Sequence, residues 1–147
     1  MQEEQKAPGA AEIGQLWFER VWGERDRSAI FDYIAPEGVA HLEGGRELTG
    51  PDAFAEFHDG MLSAFPGAQM ELLGIVSQDD EVCVHWKFIG THEGDGLGIP
   101  ATGEPISFTG ITRLVVKDGV IVEGWDTWNH GGVMARLGAP DEAIRSM

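Results

Sequence analysis

Basic residues are scarce in this chain: 10 Lys and Arg stand against 25 Asp and Glu, a formal net charge of -15. Nucleic-acid binding normally rests on lysine and arginine neutralising phosphates, so no nucleic-acid partner is expected. Anionic membrane surfaces are disfavoured for the same reason. No apolar run approaches the ~20 residues needed to cross a bilayer, and the polar start Met1-Gln2-Glu3-Glu4-Gln5-Lys6 has no signal-peptide core. No membrane association is expected. The single cysteine, Cys83, cannot form an internal disulfide, which fits a reducing, cytoplasmic setting. Cys83 lies in a strand-like run and is expected to pack. The five histidines make no HxH or HxxxH pair and no CxxC exists, so no metal is expected. The run Gly94-Asp95-Gly96-Leu97-Gly98 lacks the GK[ST] ending of a phosphate cradle. It reads instead as a flexible loop over a pocket mouth.

A chain of 147 residues with 42% apolar composition has the size of one domain with a real core. Residues 1–9 read as a disordered tail, 10–140 as the domain and 141–147 as a second tail. Helical spacing of Ile13, Leu16, Trp17 and Val21 predicts a helix over 10–22. A second over 28–34 would be capped by Ser28, and 39–42 could be a short strand. Pro51 suits the first position of a third helix, whose apolar stripe is Phe54, Phe57, Met61 and Leu62. From residue 69 the period changes to two. Strands are predicted over 69–78, 82–91, 105–116 and from 120, with a short helix over 133–137. The Asp118-Gly119 pair marks the last hairpin. Helices first and an antiparallel meander second make an α+β domain.

In the last strand, Val120, Val122, Gly124, Asp126 and Trp128 should share one face. A carboxyl among apolar and indole neighbours resists ionisation and can then pass protons near neutral pH. Asp126 is the first candidate for chemistry.

Several motifs occur in a telling order: Thr49-Gly50-Pro51-Asp52-Ala53-Phe54, Ala64-Phe65-Pro66, Gly90-Thr91-His92-Glu93-Gly94, Gly98-Ile99-Pro100-Ala101-Thr102-Gly103, Asp118 through Asp126, and Leu137-Gly138. This layout resembles the SnoaL-like polyketide cyclases, a branch of the nuclear-transport-factor-2-like (ketosteroid-isomerase-like) superfamily. The resemblance implies a cone-shaped α+β barrel, with N-terminal helices packed on a curved, mainly antiparallel sheet around one pocket. It implies a cofactor-independent cyclase or isomerase acting on an apolar, polyketide-like carbonyl compound by intramolecular aldol closure. The family's acid/base aspartate falls on Asp126. The family often carries a second aspartate three residues later, where this chain has Asn129.

The other candidates follow from parity or from their place along the chain. His92 matches Val82, Val84, Trp86 and Phe88 and could polarise a carbonyl or orient Asp126. His85 has the opposite parity. His41 near the pocket mouth and His58 beside Phe57 are further candidates, while His130 is expected in a loop. Trp86, Trp128 and Phe57 would be apolar walls, with Asn129 a further substrate contact. Trp125, Ile121 and Thr127 would form an opposite face suited to a homodimer, or to a tetramer. Two rival readings remain. One is an epoxide hydrolase in which Arg113 joins Asp126; the other is a non-catalytic binding or dimerising module.

Overall fold

The computed structural model describes residues 7–138. Residues 1–6 of the expected first tail, and all of the expected 141–147 tail, lie outside them. Helix α1 (Ala10–Leu16) runs without a break into a wider, π-helical stretch over Trp17–Gly23. Such winding is rare and releases carbonyls from the ordinary ladder. Here the Val21 carbonyl is taken by His58 Nε2 at 2.7 Å. Helix α2 is Arg27–Tyr33; its cap is Asp26, whose side chain accepts from Ser28 N, so Ser28 is the capped residue and not the cap.

The expected short strand is longer, β1 Ile34–His41, and is followed by β2 Glu47–Thr49, which three residues were too few to signal. Then come α3 (Gly50–Ala64), β3 (Gln69–Gln78), β4 (Glu81–Thr91), β5 (Pro105–Lys117), β6 (Val120–Trp128) and α4 (His130–Arg136). Their order in one sheet is β2-β1-β6-β5-β4-β3, and only β1 with β6 is parallel. Flat, six strands would span ~24 Å. Yet residues of all six strands line a single chamber, from Leu48 on β2 to Met70 on β3, so the sheet is strongly curved. Register breaks in the β1–β6, β3–β4 and β5–β6 pairs supply the bends. The edges do not meet, and α1, the π-helical stretch and α3 pack across the concave side.

One break corrects the predicted parity of β6. Val116 pairs with Ile121 but Val115 with Glu123, so Val122 is bulged out of the ladder. Ile121 therefore turns inward and is 5% exposed, not outward with Trp125 and Thr127. Gly124, Asp126 and Trp128, beyond the bulge, keep the inner face. Cys83 alternates with buried Val82 and Val84 and is exposed on the outer face, where the strand pleat rather than its apolar neighbours sets its side. No described helix is long and apolar enough to cross a membrane.

Candidate functional site

The concave side encloses a narrow chamber of about 70 Å³, room for about two waters at liquid density. Its walls are apolar: Trp17, Phe18, Trp22, Phe54 and Phe57 from the helical side, Trp86, Phe88, Phe108 and Trp128 from the sheet. It opens on a wider vestibule of about 620 Å³, bounded by Glu43 and Arg46 of the β1–β2 hairpin, Glu56 and Gly60 of α3, Leu97 of the glycine-rich loop, and His130. Asp126, Trp128, Phe57 and Met61 line both spaces. Asp126 thus stands where an apolar cleft meets a polar mouth.

The accessibility that Asp126 retains opens on these cavities, and its carboxyl is otherwise desolvated. Burial pushes its pKa up to about 6; a hydrogen bond from Thr112 opposes the rise and the nearby charge of Glu43 adds to it. Thr112 Oγ1 donates to Asp126 Oδ1 at 2.6 Å, and Trp86 Nε1 donates to Thr112 Oγ1 at 2.9 Å. This two-step relay fixes one carboxyl oxygen. The other oxygen has no hydrogen-bond partner among the described residues. Gly110 makes the relay possible, because a Cβ there would overlap the Trp86 ring. Among the described residues no charged group pairs with the carboxyl, so it can hold or release a proton near neutral pH.

The remaining expectations separate. Trp86, Trp128 and Phe57 line the chamber. His92 is fully buried but does not line the Asp126 chamber or its vestibule. It sits past the end of β4, tilted against Phe65, with Nδ1 held by Thr102 Oγ1 at 3.0 Å and Thr102 N at 3.3 Å. Its parity was right for β4, but the strand runs on beyond the cavity. His58 is buried against the edge of Trp22 and is spent on the Val21 carbonyl; burial lowers its pKa. His41 faces away, stacked on Trp125 at 5.2 Å between Glu123 and Glu47, and its hydrogen bond to Glu123 raises its pKa. Asn129 caps α4, its Oδ1 accepting from Gly132 N at 3.0 Å. An aspartate would cap as well, so the amide is no loss there. Arg113 pairs with Glu81 and covers Trp125 on the outer face. The Asp–Arg arrangement of an epoxide hydrolase is therefore not formed around Asp126.

Two site residues escaped the sequence reading. Thr112 is a β5 hydroxyl opposite Asp126 in the ladder, a relation that needs the hairpin register. His130 opens α4 and reaches the vestibule. Among the described residues, no group of three His, Cys, Asp or Glu side chains could hold a metal.

The family model for SnoaL-like polyketide cyclases matches residues 12–137. Aklanonic acid methyl ester cyclase DauD, from Streptomyces sp. (strain C5), is 31% identical over 122 residues, 80% of this chain and 74% of its own length. Among solved structures, AclR of Streptomyces galilaeus, a proposed hydroxylase, is 30% identical with a TM-score of 0.75, covering 88% of this chain and 98% of its own. A proposed SnoaL-like polyketide cyclase from Jannaschia sp. CCS1 superposes with a TM-score of 0.82 at 20% identity, over 94% and 99% of the two chains; at that identity it speaks for the fold alone. The open α+β cone, with its single aspartate where cleft meets mouth, and a match running through all its elements together make the chain a member of the SnoaL-like polyketide cyclase family.

Proposed function

We propose that the chain closes a ring in an apolar, carbonyl-bearing polyketide-like molecule by intramolecular aldol condensation, without a cofactor, using Asp126 as acid and base. One observation carries this reading: an unpaired, desolvated carboxyl with a pKa of about 6, held by one hydrogen bond on the wall between chamber and vestibule. The carboxylate removes a proton from a carbon beside a carbonyl. The carbanion attacks a second carbonyl of the same chain, and the protonated Asp126 returns its proton to the new alkoxide. Trp86, Trp128 and Phe57 would hold the chain folded, which replaces a search through open conformers by a fixed approach. The narrow chamber suits a flat or slender end of the substrate, and the vestibule the remainder.

The relative DauD supports aklanonic acid methyl ester as the first compound to try. The expected result is turnover whose rate rises with pH around a midpoint near 6 as Asp126 ionises. Saturable binding of that ester with no turnover at any pH would replace this reading with the binding-module one. AclR supports hydroxylation as a second reading, and a product heavier by one oxygen would establish it. The outer sheet face, where Val76 is 75% and Ile111 50% exposed, is proposed as the homodimer surface, and light scattering on the purified chain would give the mass.

A further inference from the structure

We infer that His130 is a second catalytic residue: its ring N–H hydrogen-bonds the acceptor carbonyl oxygen as that oxygen becomes an alkoxide. The inference rests on the aldol reading of the same site. His130 lies four residues beyond Asp126, just past the strand end, and both side chains line the vestibule. Glu43 is close enough for its charge to act on both groups. The imidazole is held edge-on to Trp128, with ring centres 5.0 Å apart, and Trp128 is itself stacked on Phe108 at 4.6 Å. The ring is thus fixed by packing, and its nitrogens have no hydrogen-bond partner among the described residues.

Aldol closure creates charge at one identifiable atom. Asp126 takes the proton from carbon, and the electron pair left behind forms the new C–C bond. The π pair of the acceptor carbonyl then moves onto its oxygen, which carries the negative charge until Asp126 returns the proton. No electron or proton is gained or lost overall. A bare oxyanion beside these largely apolar walls is poorly solvated and costly, so a donor aimed at it lowers the barrier. The donors closest to Asp126 are already committed, the Thr112 hydroxyl to Asp126 and the Trp86 N–H to Thr112. His130 is free to act, and burial lowers its pKa, which keeps it a neutral donor. Two other donors border the same vestibule, the Trp128 indole N–H and the Arg46 guanidinium, and Trp128→Phe and Arg46→Gln serve as the controls.

The test separates the two halves of the reaction. Ring closure is timed with aklanonic acid methyl ester. Deuterium uptake in D2O is measured with an analogue whose acceptor ketone is replaced by methylene, which reports proton removal alone. His130→Phe keeps the edge contact with Trp128 and removes the donor. It should slow closure about 100-fold while deuterium uptake stays at the wild-type rate. His130→Gln, which retains an N–H donor, should fall between the two. Closure by His130→Phe at the wild-type rate would overturn the inference. So would equal loss of closure and deuterium uptake, which would mark a structural role, or a 100-fold loss of closure in Trp128→Phe or Arg46→Gln and not in His130→Phe. If the wild-type chain neither exchanges nor closes, the aldol reading itself fails and takes this inference with it.

Discussion

The two faces of β6 carry the same kinds of residue to opposite ends. On the outer face Glu123 is 42% exposed and bound to His41, while Arg113, held by Glu81, lies over Trp125. On the inner face, three residues along, Asp126 has no counter-charge among the described residues and a single hydroxyl hydrogen bond. The histidines divide likewise. A hydrogen bond to Glu123 raises the pKa of His41, and burial lowers that of His130. Position on the strand matters less than what shares the space. A titratable group with a partner becomes part of the scaffold; one without a partner, in a dry cavity, stays reactive.

The contrast breaks most sharply at Asp126. Asp126→Asn should reduce ring closure about 10³-fold, measured as initial rates with aklanonic acid methyl ester. The same change should stabilise the fold at high pH. The folded-state pKa of about 6 lies above the ordinary value of ~3.9, so the folded chain prefers the protonated form and charging it is costly. The penalty is absent below pH ~4, grows as pH rises, and is complete above about 6, at up to ~3 kcal/mol. Urea unfolding at pH 4 and pH 8 should show Asp126→Asn gaining over wild type only at pH 8.

A smaller effect is expected at Thr112. Thr112→Val removes the donor that favours the ionised carboxyl, so the Asp126 pKa should rise by about one unit. Carboxyl-carbon NMR would follow it, and the rising limb of the rate profile should move with it. On the outer face the sign reverses. His41→Gln should leave closure unchanged and cost less than ~1 kcal/mol. A raised histidine stabilises the fold fully below its ordinary pKa of ~6.5, and the contribution is lost as pH rises through the folded value. The difference in urea midpoint should therefore be larger at pH 5.5 than at pH 9. The smallest shift belongs to Glu43→Gln. It should lower the Asp126 pKa by a few tenths of a unit, because a half-exposed charge acting across a wet mouth is largely screened.

Much of this arrangement is readable from spacing alone, and its failures share one cause. Period two placed Asp126 and Trp128 on the same side, and the structure sets both on the chamber wall. The same rule misplaced Ile121, because the bulge at Val122 puts the residues before it out of step with those after it. It also drew His92 toward a cavity that ends before His92 is reached. His58 and Asn129 offered side chains suited to substrate contact, yet both serve backbone groups. A free carbonyl in a π-helical turn leaves no mark in the sequence, and a capping asparagine looks like any other. Thr112 and His130 depend on hairpin register and on a strand-to-helix junction, both set by contacts distant along the chain.

Gly110 has a consequence on the scale of generations. Any side chain there would push Trp86 off Thr112 and loosen the hold on Asp126. Glycine codons reach alanine, serine and valine by single nucleotide changes. One inherited route to silencing such a gene product therefore leaves its aspartate untouched. In descendants released from the reaction, residue 110 should be among the first to vary, and the genotype there would tell a working copy from a relic that still displays Asp126.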